Sequence, residues 1–267
     1  MGTLRSYFEN ETHQRHALNN FFTAWGDDRW ITREVNLYNA SQGAFYSQLD
    51  SSSALREFRK IDNELTGYWQ VFRPYSRDAC WTPEKIHSTI KREFAEFAWT
   101  CSVTLMNFLK SGTGPRLQAS LETLRQIKPN QGFPIMTVSK FLHFYNPALF
   151  PIYDTAVIWN KVCNGCFKSD FRSFCHAEDL PYQRFTNDDT VDFLPAYMCW
   201  ANSLLSVAHA RFMQASVEWL SEKTGPAFAT RKYDPMTIYA RAFEFTATGA
   251  AVIELGEAKT VCSVGTG

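Results

Sequence analysis

In the stretch TVSKFLHFYNPALFPIYDTAVIW, residues 137–159, three ionisable side chains stand among apolar ones. Lys140 and His143 are three positions apart, which makes them neighbours on the surface of a helix. Asp154 follows two proline breaks, at Pro147 and Pro151. An amine, an imidazole and a carboxylate brought together can move protons or stabilise a developing cation. The plainer structural account makes Asp154 a helix N-cap, Lys140 a surface cation and His143 a satisfied core histidine.

The elements that must position these groups follow from local spacing. Ile135, Val138, Phe141, Leu142 and Tyr145 recur at helical intervals, so a helix is expected over 135–145, ended by Asn146-Pro147. Phe150-Pro151-Ile152 reads as a short extended link, and Asp154 opens a second helix over Ala156 to Val162. The pair folds back on itself and brings Asp154 to one end.

GFPIMTVSKFLHFYNPALFPIYDTAV resembles the corresponding segment of the helix-hairpin-helix DNA glycosylases. There a Gly-containing hairpin, a helix, an apolar link and an Asp occur in this order. The resemblance implies a compact multi-helix domain with a helix-hairpin-helix-like central pair. It implies hydrolysis of the N-glycosidic bond of a modified base flipped from DNA, in repair or antiphage defence. Asp154 would be the catalytic carboxylate, with Lys140 and His143 tuning it or binding phosphate. The hairpin residues Gln131 and Gly132, with Ser139, would meet the nucleic acid, and Tyr68, Trp69, Tyr145 and Tyr153 would wall the base pocket. The hairpin here carries one Gly, and Tyr153 stands between Ile152 and the Asp. From the residues alone, Arg73 and Arg77 in RPYSR are further candidates for phosphate contact.

Other chemistry is weaker. Cys163 and Cys166 form a CxxC with Cys175-His176 nine residues on, a conceivable zinc set, although adjacent residues make awkward ligands of one ion. No nucleophile elbow, P-loop, dinucleotide fingerprint or deaminase signature occurs. None of the motifs implies a cofactor.

Elsewhere the pattern is helical. Leu55, Phe58, Ile61, Leu65, Trp69 and Phe72 make one stripe behind a Ser53 cap. Thr82-Pro83 opens a long helix expected to run to about Lys110, with Gly112 just past its end. Arg116 to Ile127, Phe193 to Lys223 and Asp234 to Leu255 complete the set, with Asn39 to Gln42 as a turn and 163–192 as an irregular insertion. With no alternating strands the expected fold is mainly α, one domain over 1–267, with a possible N-terminal subdomain over 1–80.

The chain has 267 residues and a formal net charge of zero, so it lacks the overall basic signature of many nucleic-acid binders. Its charge is uneven: between 81 and 143 eight Lys and Arg face four Glu, a local excess of four that suits a DNA partner. No segment reaches the roughly 18 apolar residues of a membrane span. The N-terminus carries no apolar signal core and the seven Cys are an odd number, so a reduced cytoplasmic protein is expected. Two further readings stay open: a non-catalytic helical module binding nucleic acid or protein, and a regulatory protein with a zinc-stabilised loop at Cys163 to His176.

Overall fold

The computed structural model describes residues 2–25, 28–67, 82–101, 103–126, 135–182, 191–208, 218 and 239–256. The protein is mainly helical, and the described residues include no strand. In chain order the helices are α1 (Ser6–Glu9), α2 (Glu11–Trp25), α3 (Asp28–Ser41), α4 (Ser51–Gly67), α5 (Pro83–Glu93), α6 (Thr113–Gln126) and α7 (Ile135–Tyr145). A π-helix (Thr155–Cys166) follows, then α8 (Lys168–Ala177), α9 (Phe193–Ser206) and α10 (Tyr239–Glu254). A π-turn, Gln42–Tyr46, continues α3 where a turn is expected. Among the described residues no helix is long and apolar enough to cross a membrane.

Several ends obey local chemistry. Thr82 caps α5 by accepting the Lys85 N–H at 3.3 Å, with Pro83 in the first turn. α4 begins at Ser51, ahead of the expected Ser53, because Asp50 Oδ1 accepts the N–H groups of Ser52 and Ser53, each at 2.9 Å. α6 buries Leu117, Leu121 and Leu124, the stripe the spacing predicts.

Two long helices are shorter than their patterns suggest. The one expected over 82–110 stops at Glu93. Phe94, Phe97, Leu105 and Phe108 are then buried by a chain that turns through two 3-10 segments, Ala95–Phe97 and Leu105–Asn107. The intervening aromatic and β-branched residues hold a helix weakly, so burial decides their course. The helix expected to run to Lys223 stops at Ser206, closed by Val207 and Ala208, both of whose N–H groups go to Leu205 O.

The segment 163–192 is more ordered than its polarity suggests. Cys163 is fully buried in the π-helix, and α8 is amphipathic, burying Phe171 and Cys175 while His176 is exposed.

The buried side chains form one connected core that runs from Leu4 to Ala251. Its axis is α10, in which every residue from Ala240 to Val252 is buried, and which packs chiefly on α2 and the π-helix. α7 is buried along its length except at Met136, which is partly exposed. Its last carbonyls would be orphans, and the hydroxyls of Ser41 and Tyr46 donate to Phe144 O and Tyr145 O.

Candidate functional site

α7 has the bounds that its apolar spacing predicts, and Asp154 caps the next helix, its Oδ1 accepting the Val157 N–H at 3.1 Å. That next helix is a π-helix running to Cys166, and the hairpin expected before α7 lies outside the described residues. The link folds the chain back as expected and sets Asp154 Oδ2 3.7 Å from Lys140 Nζ. Lys140 is no surface cation: its side chain is 5 % exposed, against 35 % for Asp154. Burial pushes the Lys140 ammonium down from its usual proton affinity, and Asp154, then Glu244, works against that loss.

Behind this pair lies a buried charge network that reaches across the core. Arg241 on α10 makes two parallel bonds to Glu34 on α3, Nε to Oε1 and Nη2 to Oε2, both 2.7 Å. Its Nη1 donates to Glu244 Oε2, and Glu244 Oε1 accepts the Ile152 N–H. The guanidinium also lies 4.6 Å from the centre of the Phe245 ring. For Arg241, burial opposes the charge, but Glu34 and Glu244 together hold the proton more firmly than usual. Glu244 is fully enclosed, and burial raises its carboxyl to about 8 despite the opposing pull of Arg241. At neutral pH Glu244 therefore keeps its proton.

His143 belongs to this network rather than to a reacting surface. It is fully buried, and its Nδ1 lies 2.7 Å from Phe150 O, so Nδ1 carries a proton and donates it. Burial, and next Arg241, push the imidazole well below its ordinary pKa, so the ring is neutral and Nε2 accepts. The Tyr38 hydroxyl, 2.8 Å from Nε2 and 2.6 Å from Glu34 Oε1, has one proton for these two acceptors. An acid–base role for His143 is replaced by a positioning one.

The other candidates fall into two groups. Ser139 is buried and does not meet a ligand surface: its hydroxyl accepts the Tyr153 N–H at 3.1 Å and donates to Met136 O at 3.0 Å. Tyr145 and Tyr153 are core residues rather than pocket walls. Tyr145 donates to Phe94 O at 3.0 Å and stacks on Tyr46, while Tyr153 packs edge-on to Phe193 and Tyr197. Tyr68, Trp69, Arg73, Arg77, Gln131 and Gly132 lie outside the described residues. Cys175 is buried and His176 exposed, so they face opposite ways, and Cys166 Sγ donates to Lys161 O at 2.9 Å. Among the described residues no three His, Cys, Asp or Glu side chains converge as metal ligands. A cleft of about 390 Å³ between α6 and α9, bounded by Phe108, Pro115, Leu180, Pro195 and Cys199, touches none of the network.

Glu34, Tyr38, Arg241 and Glu244 escape a local reading of the sequence. The signal was present in YARAFEFTATGAAVIE, residues 239–254. A helix otherwise apolar and small on all sides is buried, and an Arg and a Glu within it require partners.

The raised Glu244 carboxyl has a measurable consequence. Between about pH 7.5 and 8 an unfolded histidine is mostly neutral, whereas the folded chain binds a proton at Glu244 that the unfolded chain has lost. Stability therefore falls as pH rises through this window, by at most roughly 1.4 kcal/mol per unit. Glu244→Gln has nothing to titrate and should flatten that slope. Urea unfolding of both proteins at three pH values measures it, and equal slopes would mean that Glu244 is ionised throughout.

Comparison with protein families, with characterised proteins and with solved structures finds no match to this chain, so its function has to be read from this geometry.

Proposed function

We propose that the protein hydrolyses the N-glycosidic bond of a modified base in DNA, with Asp154 as the carboxylate at the reacting sugar. The supporting observation is that Asp154 is the member of the charge network that reaches solvent. Its side chain is 35 % exposed, while Glu34, Tyr38, Lys140, His143, Arg241 and Glu244 are all buried. A carboxylate held by a main-chain N–H and a buried ammonium is pre-organised, and it has an open side for substrate.

The chemistry suits N-glycosidic cleavage. As the C1′–N bond breaks, its electron pair leaves with the base and positive charge develops on the sugar. Asp154 stabilises that charge and receives the proton of the water whose oxygen forms the new bond to C1′. Lys140 Nζ, 3.7 Å from Asp154 Oδ2, holds the carboxylate in place from the buried side. The base has to leave the stack first, which is easiest for a damaged or mispaired one. Whether the base is damage or a viral modification is decided by substrate, in repair or in antiphage defence.

A second reading has its own observation. The bond from Val157 N–H makes Asp154 a helix cap, the role it would keep in a non-catalytic binding module. Asp154→Asn separates the two, because Asn caps as well as Asp but carries no charge. The protein and this variant are incubated with unmodified, uracil-containing, oxidised, alkylated and phage-modified DNA, and abasic sites are assayed. The expected result is release from one substrate class, reduced about 100-fold or more in Asp154→Asn. DNA binding without release in either protein would favour the module, and neither binding nor release would leave Asp154 a cap.

A further inference from the structure

The link between α7 and the π-helix is buried and belongs to no regular element. Its main-chain polar groups must therefore find partners outside a regular ladder. Asn146 to Phe150 pair largely among themselves and with Leu105 N–H. From Phe150 O to the Tyr153 N–H, three side chains from neighbouring helices supply partners. Phe150 O accepts from His143, the Tyr153 N–H goes to Ser139 Oγ, and the Ile152 N–H goes to Glu244 Oε1. His143 and Ser139 come from α7, the adjoining helix. Glu244 comes from α10, 92 residues further along the chain, and is itself braced through Arg241 to Glu34 on α3.

Ile152 lies two residues before Asp154. Asp154 is thus fixed from both sides: Val157 N–H holds its carboxylate on one, and Glu244 holds the incoming chain on the other. We propose that Glu244 is a positioning residue, which anchors the link so that the Asp154 carboxylate stands against Lys140. Taking the site to be the glycosylase centre inferred above, Glu244 acts on the rate without touching DNA, since it is 4 % exposed and lies behind the pair. Losing the Glu244 anchor loosens the end of the link next to Asp154. A displacement of the carboxylate by about 1 Å is enough to cost much of its transition-state contribution while substrate still binds.

The test compares the protein with Glu244→Met, which removes both acceptor oxygens, and Glu244→Gln, which keeps one for Ile152. Amide hydrogen exchange at Ile152 and Tyr153 is read without any substrate. Base release is read as a maximal rate and a half-saturating DNA concentration. For Glu244→Met the expectation is about tenfold or greater acceleration of exchange at Ile152, with α2 and α6 unchanged. Its maximal rate should fall about tenfold or more at an unchanged half-saturating concentration. Glu244→Gln should recover most of both. Unchanged exchange at Ile152 in Glu244→Met would overturn the assignment, as would faster exchange spread evenly over α2, α6 and α9. If Glu244→Met does not fold, Glu244→Asp, too short to reach both partners, replaces it with the same expectations. Absence of base release by the unaltered protein would sink the glycosylase reading alone, and exchange at Ile152 would still decide the role of Glu244.

Discussion

Arg241→Met is expected to destabilise the protein by about 3–5 kcal/mol, measured by urea unfolding at pH 7. The guanidinium is buried, bonds both oxygens of Glu34, and also serves Glu244. Methionine fills most of its volume, so little of the loss is a cavity. What remains is a Glu34 carboxylate 3 % exposed on its side chain with its countercharge gone. An unpaired charge in such a place either stays ionised at great cost or takes a proton, and both lower stability. The double variant Glu34→Met, Arg241→Met removes charge and countercharge together and should regain more than half of the loss, because buried ion pairs barely exceed apolar replacements in net worth. The coupling between the two sites should then be several times the value for distant positions. A single-variant cost below about 1 kcal/mol would mean that the pair is solvated in solution, contrary to its burial.

How much of this was legible from the sequence depended on distance along the chain. The bounds of α7, the Asp154 cap, the Thr82-Pro83 start and the leucine stripe of α6 are set by residues a few positions apart, and all appear as read. Lys140 and Asp154 are joined by one short link, and their meeting was also readable. The burial of Lys140 was not, since it depends on α10. Glu34 and Arg241 lie 207 positions apart, and nothing local distinguishes Glu34 from a solvated acid on an amphipathic helix. Ser139 and His143 look like polar residues available to a ligand until the link packs against α7 and takes their hydrogen bonds. The overlong helix expected over 82–110 fails for a related reason. Helical periodicity continues in the sequence there, but Phe94, Phe97 and Phe108 are buried only if the chain turns.

A close approach of two helices gives the other large effect. Gly249 of α10 lies against α2, where an added Cβ would fall inside the van der Waals shell of the Ala17 carbonyl oxygen and 2.5 Å from its carbon. The obstacle is backbone, so no rotamer change relieves it, and the helices have to separate. α10 is buried from Ala240 to Val252, so separation opens the core around it rather than displacing a surface element. Gly249→Ala gains helix propensity worth about 1 kcal/mol, which the overlap should exceed. A net loss of about 3 kcal/mol or more is expected in urea unfolding, at the upper end for overpacking. The same shift would carry Arg241 and Glu244, within about two turns earlier on α10, away from Glu34 and Ile152. The variant should therefore also speed amide exchange at Ile152, some distance from the substitution. Gly256→Ala, at the far end of α10 where an added Cβ meets nothing within 4 Å but φ is +67°, is the control. It should cost about 1 kcal/mol from the left-handed backbone alone and leave Ile152 protected. If Gly249→Ala were as mild as Gly256→Ala, the helices would be less tightly seated than described, and the link between α10 and Asp154 would lose its mechanical basis.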